Sequence, residues 1–110
     1  MINTAMKNKK VKKMNLRDAI ITISTINEDL VLYAKRIDGQ LLPTCETVLL
    51  ELSEEERNMS TDEVANRKCS GFSYCMEVFL IQEIMQDLYA EKMDMDKKID
   101  RVIYYIECDA

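Results

Sequence analysis

Catalysis and metal binding each need particular side chains at particular spacings, and this chain lacks most of them. It contains no histidine. That removes the side chain whose ordinary pKa lies near neutrality and the commonest metal ligand. His-dependent triads and helical zinc-hydrolase motifs are excluded with it. There are two glycines, Gly39 and Gly71, too few for a phosphate loop or a dinucleotide fingerprint, where several backbone amides must approach phosphate closely.

The thiols and carboxylates that remain do not assemble into a recognisable centre. The four cysteines are Cys45, Cys69, Cys75 and Cys108, with no C-x-x-C pair among them. A four-thiolate zinc site normally takes close-spaced pairs from tight turns, so structural thiols, kept reduced, are the expectation. Cys69 beside Lys68 could act as a nucleophile only with an activating base or a helix N-terminus, and its position points to a helix C-terminus instead. Asp94, Asp96 and Asp100 have some of the spacing of a calcium loop. Ile99 and Tyr105 stand where that loop needs glycine and glutamate. These acids fit better at a helix start, where they favour the dipole. No catalytic residue, metal or cofactor is expected, and the chain reads as a non-enzyme.

Charge is the more informative signal. Residues 1–14 carry Lys7, Lys9, Lys10, Lys12 and Lys13 and no acid, a net +5. The rest holds all 20 acidic residues against ten bases, a net −10. Residues 1–14 are therefore read as a mobile basic extension, and 15–110 as a single acidic domain. The run Glu54, Glu55, Glu56 reads as a solvated acidic loop able to meet a basic surface. Asp87 lies on the wet face of a helix. Tyr104 and Tyr105 cannot both face the core of one helix, so one of them, with Met93 and Met95 nearby, can join an exposed contact patch. These six residues, Glu54, Glu55, Glu56, Asp87, Tyr104 and Tyr105, are the candidate partner-binding set.

The elements that must position them follow from periodicity. Asn15 caps a helix whose apolar face is Leu16, Ala19, Ile20, Ile23 and Ile26. Residues 30–37 form a strand ending at the Asp38-Gly39 turn. Residues 46–52 form a second, with Val48, Leu50 and Leu52 toward the core and Thr47 and Glu51 away. Ser60 and Glu63 have capping-box spacing for a peripheral helix over 61–68, with Gly71 beyond its end. Residues 72–78 alternate, placing Phe72, Tyr74, Met76 and Val78 on one face. A helix over 79–92 turns Leu80, Ile81, Ile84, Met85 and Leu88 inward. A last helix, 97–108, is capped by Asp94 or Asp96 and buries Ile99, Val102, Ile103 and Ile106. The order α-β-β-(α)-β-α-α predicts an α+β fold: a small, mostly antiparallel three-stranded sheet with helices packed on one face.

Hydrophobic content of 47% with 32% charge is that of a globular domain. No apolar run reaches the roughly 18–20 residues of a spanning helix. No secretory leader is expected, because Arg17 and Asp18 interrupt the apolar run and no cleavage site follows. A cytoplasmic protein without membrane contact is the default. The strand–helix order is similar to that of small bacterial domains, some encoded beside toxins, and no motif assigns a family.

Two functional expectations follow. The first is a small protein-binding module that docks on a basic partner, as immunity proteins against toxic nucleases and inhibitors that mimic nucleic acid do. The second is a nucleic-acid-associated or regulatory factor whose lysine-rich tail touches phosphate. A homodimer could use the same tyrosine–methionine patch.

Overall fold

The computed structural model describes residues 14–109, so the lysine-rich segment and the readings made of it lie outside the described residues. The fold is α+β, with three antiparallel strands in the order β2-β1-β3. The strands are β1 (Val31–Lys35), β2 (Glu46–Leu50) and β3 (Ser73–Glu77). The helices are α1 (Leu16–Ile21), α2 (Glu54–Arg57), α3 (Thr61–Lys68), α4 (Val78–Tyr89) and α5 (Met95–Asp109), with a 3-10 turn at Ile23–Thr25.

The Asn15 side chain accepts from the Asp18 amide at 2.8 Å, the predicted cap. The α1 helix stops early, before the apolar stripe ends. The hydroxyls of Thr22 and Thr25 turn back to Asp18 and Thr22 carbonyls at 2.8 and 2.7 Å, and such back-bonding competes with regular helix. Between the first two strands, Ile37 and Gln40 exchange two backbone hydrogen bonds across Asp38 and Gly39, whose φ values are 52° and 75°. Two positive φ values in a two-residue turn match the twist of the flanking chain.

Both faces of the sheet are covered. On the larger face, Leu32, Ala34, Cys75 and Met76 meet α1, α4 and α5 through Leu16, Ala19, Ile20, Ile81, Met85, Ile99, Val102 and Ile106. The opposite face carries a smaller cluster of Val31, Tyr33, Val64 and Ala65, edged by Val48, Leu50, Leu52, Phe72 and Tyr74. The helix expected to be peripheral, α3, supplies Val64 and Ala65 to that cluster. Helices α1, α4 and α5 therefore share one face, as the sequence implies, and α3 covers the other.

Two alternation readings need correction. In β3 the register runs Leu32↔Met76 and Tyr33↔Tyr74, with an irregularity between them. Cys75 is the extra residue, and a bulge of one residue flips the side chains beyond it. Phe72 and Tyr74 consequently join the smaller cluster, whereas Cys75, Met76 and Val78 join the larger one. In β2, Val48, Leu50 and Leu52 pack as expected, but on the smaller cluster. Thr47 does not point away into water. It is nearly buried, and its hydroxyl donates to the Met14 carbonyl at 2.7 Å.

Helix α4 follows β3 without a loop, and the Val78 amide donates to the Leu30 carbonyl at 3.0 Å. The Gln82 amide donates to the Ile23 and Ile26 carbonyls, both at 2.9 Å, fastening α4 to the 3-10 turn. Asp94 is the residue that caps α5, accepting from the Lys97 amide at 2.9 Å. Arg36 grips Glu107 through two bonds of 3.1 and 2.7 Å, tying the β1–β2 connection to α5. No helix among the described residues is long and apolar enough to cross a membrane.

Candidate functional site

The acidic run expected as a loop is a helix. Ser53 accepts from the Glu56 amide at 3.2 Å, and Glu56 reaches back to the Ser53 amide at 2.8 Å, a complete capping box. Lys68 adds an ion pair to Glu56 at 3.1 Å and a bond to the Glu51 carbonyl at 3.3 Å. The backbone bond from Ser53, together with Lys68, holds the Glu56 carboxyl below the usual carboxylate range. Glu56 is thus committed to holding α2 onto α3. Glu54 and Glu55 point into solvent. This corrects the reading of the three as one solvated contact.

A different acidic row runs along α4 and just past its end. Its buried residues are Val78, Ile81, Met85 and Leu88. Leu80 and Ile84, expected inside with them, are only half-buried. A helix carrying Val78, Phe79, Leu80, Ile81, Ile84, Met85 and Leu88 has more apolar surface than one 100° stripe can bury. The surplus faces an open groove between α4 and α5 of about 560 Å³. Met76, Leu80, Ile84 and Leu88 form its floor, Tyr105 and Cys108 one wall, and Glu83, Asp87 and Glu91 the other.

The carboxylate wall has no internal compensation. Glu83, Asp87 and Glu91 recur every four residues, and none has an ion-pair partner among the described residues. Like charges at that spacing repel by a few tenths of a kcal/mol per pair. The last turn of α4 carries no base, so Asp87 also sits at the end of the helix dipole that disfavours an anion. Lys98, at the start of α5, lies with its ammonium over the Tyr89 ring, 4.1 Å from the centroid.

The predicted tyrosines border two adjoining depressions, and Tyr105 lines both. Neither is buried: Tyr104 is 60% exposed and Tyr105 39%. Their rings meet edge to face at 6.0 Å. Tyr105 lines the α4–α5 groove with Asp87, and it joins Tyr104, Met93, Lys97, Asp100 and Arg101 around a neighbouring hollow. A hydrogen bond to Cys108 raises the Tyr104 hydroxyl above its ordinary pKa, with the nearby Cys108 charge adding to it. The structure therefore brings Asp87, Tyr105 and Tyr104 together. Glu54, Glu55 and Glu56 are placed on α2, against the smaller cluster across the sheet.

Sequence reasoning missed Leu80, Ile84, Glu83, Glu91 and Cys108 as site residues. The signal was present for the acids, in their period of four along one helix. For the two aliphatics it was the apolar excess of α4.

Neither Cys69 nor Cys75 is activated. Cys69 ends α3, and burial raises its pKa while Lys68 only partly opposes the rise. Burial pushes Cys75 up to about 12. Both stay protonated near neutral pH, which removes their nucleophilicity.

On the smaller face, Tyr33 is fully buried, and its hydroxyl has no hydrogen-bond partner among the described residues. Its ring packs edge to face on Tyr74 at 5.8 Å, and the Tyr74 hydroxyl donates to Glu77. Comparison of the chain with protein-family models, curated proteins and solved structures found no match.

Proposed function

We propose that this chain is a small acidic protein-binding module that docks on a basic partner, in the manner of immunity or inhibitor-type proteins, and that it is not an enzyme. One observation carries the reading: an apolar groove walled by Glu83, Asp87 and Glu91, three carboxylates without an ion-pair partner among the described residues. Such a row costs the fold a little stability. A cationic partner reverses that cost and is steered toward the groove by the net −10 of residues 15–110. Cys45, Cys69, Cys75 and Cys108 are all free thiols, which supports a reducing, cytoplasmic setting for the module.

The test is affinity purification from the native cell with the full chain as bait. A stoichiometric protein of basic composition is expected at low salt. It should be lost at high salt and by a bait carrying Glu83→Lys and Asp87→Lys. Recovery of no stoichiometric protein at low salt overturns the reading, as does equal recovery by the charge-reversed bait.

A further inference from the structure

Resting on the protein-docking reading above, we infer that the α4–α5 groove seats a single α-helix of the partner, with an apolar stripe flanked by lysine or arginine. The groove has the form such a segment needs. Leu80, Ile84 and Leu88 repeat at helical spacing along its floor. The stretch from Leu80 to Leu88 rises about 12 Å along the axis, the length of two turns of a docked helix. A helix lying in a groove between two others contacts it through residues three and four apart, so two or three apolar anchors fit this floor.

Charge selects the flanks. Glu83, Asp87 and Glu91 run parallel to the floor on the α4 side, one carboxylate per helical turn. A helix laid alongside presents one basic residue per turn to Glu83 and Asp87, and a further one to Glu91 just past the end of α4. On the other wall, Tyr105 offers a half-exposed ring, suited to an aliphatic side chain or the stem of a lysine. A second copy of this chain is a poorer occupant, because its own acidic surface would meet the carboxylate row.

The test uses the full chain and a fluorescein-labelled peptide of about 14 residues, with leucine at every third or fourth position and lysine on both flanks. A control peptide of the same composition has the leucines scrambled. Fluorescence anisotropy at an ionic strength of about 0.15 M should give saturable binding of the patterned peptide, at least tenfold tighter than the control. Asp87→Lys should weaken it about tenfold, and Ile84→Gln by a similar factor, each with the melting temperature checked alongside. The exposed pair Glu54→Lys and Glu55→Lys should leave it unchanged. Equal binding of the scrambled peptide, or equal binding by both groove variants, overturns the helix-in-groove inference while leaving the docking reading standing. Binding of neither peptide, at this ionic strength or a low one, counts against both. A concentration-dependent dimer broken by Ile84→Gln, with no peptide binding, assigns the groove to a second copy and overturns the inference.

Discussion

The two acidic triplets of this protein differ in what the fold does with them. Glu54, Glu55 and Glu56 are consecutive and open a four-residue helix, and Glu56 is drawn into its architecture through Ser53 and Lys68. Glu83, Asp87 and Glu91 are spaced by four, share one groove wall and are left without a counter-charge among the described residues. Acids at a helix N-terminus satisfy orphan amides and the dipole. Acids at the far end of a helix do neither. The denser run of charge is thus the structural one, and the sparser row is the one free for a partner.

The largest effect should come from the side of α4 turned away from the groove. Ile81 is fully buried, so Ile81→Ala should destabilise the fold by about 3 kcal/mol, read by urea denaturation. Asp87→Asn, on the exposed side of the same helix, should stay within about 0.5 kcal/mol of the parent yet weaken partner binding. If Asp87→Asn destabilises as much as Ile81→Ala, the row is structural and the contrast with α2 collapses.

Loss of the α2 cap comes next. Ser53→Ala should cost about 1 kcal/mol and leave binding in the groove untouched. A loss of binding with normal stability would place the contact at α2 instead.

Acid unfolding sharpens the same contrast. Glu56 and Glu107 both have carboxyl pKa values lowered in the fold, Glu56 by the Ser53 backbone and Lys68, Glu107 by Arg36. A lowered folded-state pKa means that the stabilisation is fully present above the ordinary value of 4.5 and is lost as pH falls through the folded value. The unfolding midpoint should therefore fall on acidification below that point. Glu56→Gln should flatten the dependence, and an unchanged slope would show that the capping contact contributes nothing to it.

The smallest effect is expected on the face that α2 and α3 cover. Tyr33→Phe removes a buried hydroxyl without a protein partner among the described residues. Stability should hold or rise by up to about 1 kcal/mol, and a loss larger than that would mean the hydroxyl is satisfied by bound water.

Much of the fold was legible because it is local. The Asn15 cap, the Asp38-Gly39 turn, the Ser60 cap and the α5 stripe of Ile99, Val102 and Ile106 rest on contacts within a few residues. The α+β class follows from the order of those elements. Of the candidate set, Asp87 and Tyr105 were placed on exposed surface by pattern, and the structure puts them in one groove. Glu56 was misjudged although its capping partner Ser53 is only three residues away in S-x-x-E spacing; its second partner, Lys68, is twelve residues away and on another helix.

The sequence by itself determined composition and local preference: no histidine, few glycines, thiols without close pairing, an acidic body, and the period of each segment. Tertiary structure decided which faces those segments share. A bulge at Cys75 sent the two ends of β3 to opposite cores. The packing of α4 into the larger cluster covered Ile81 and Met85 and left Leu80 and Ile84 half open. Periodicity fixes a side chain's angle around its own helix axis, but which neighbouring element occupies that angle depends on contacts between residues far apart in the chain. The carboxylates beside Leu80 and Ile84 became a groove wall for that reason alone.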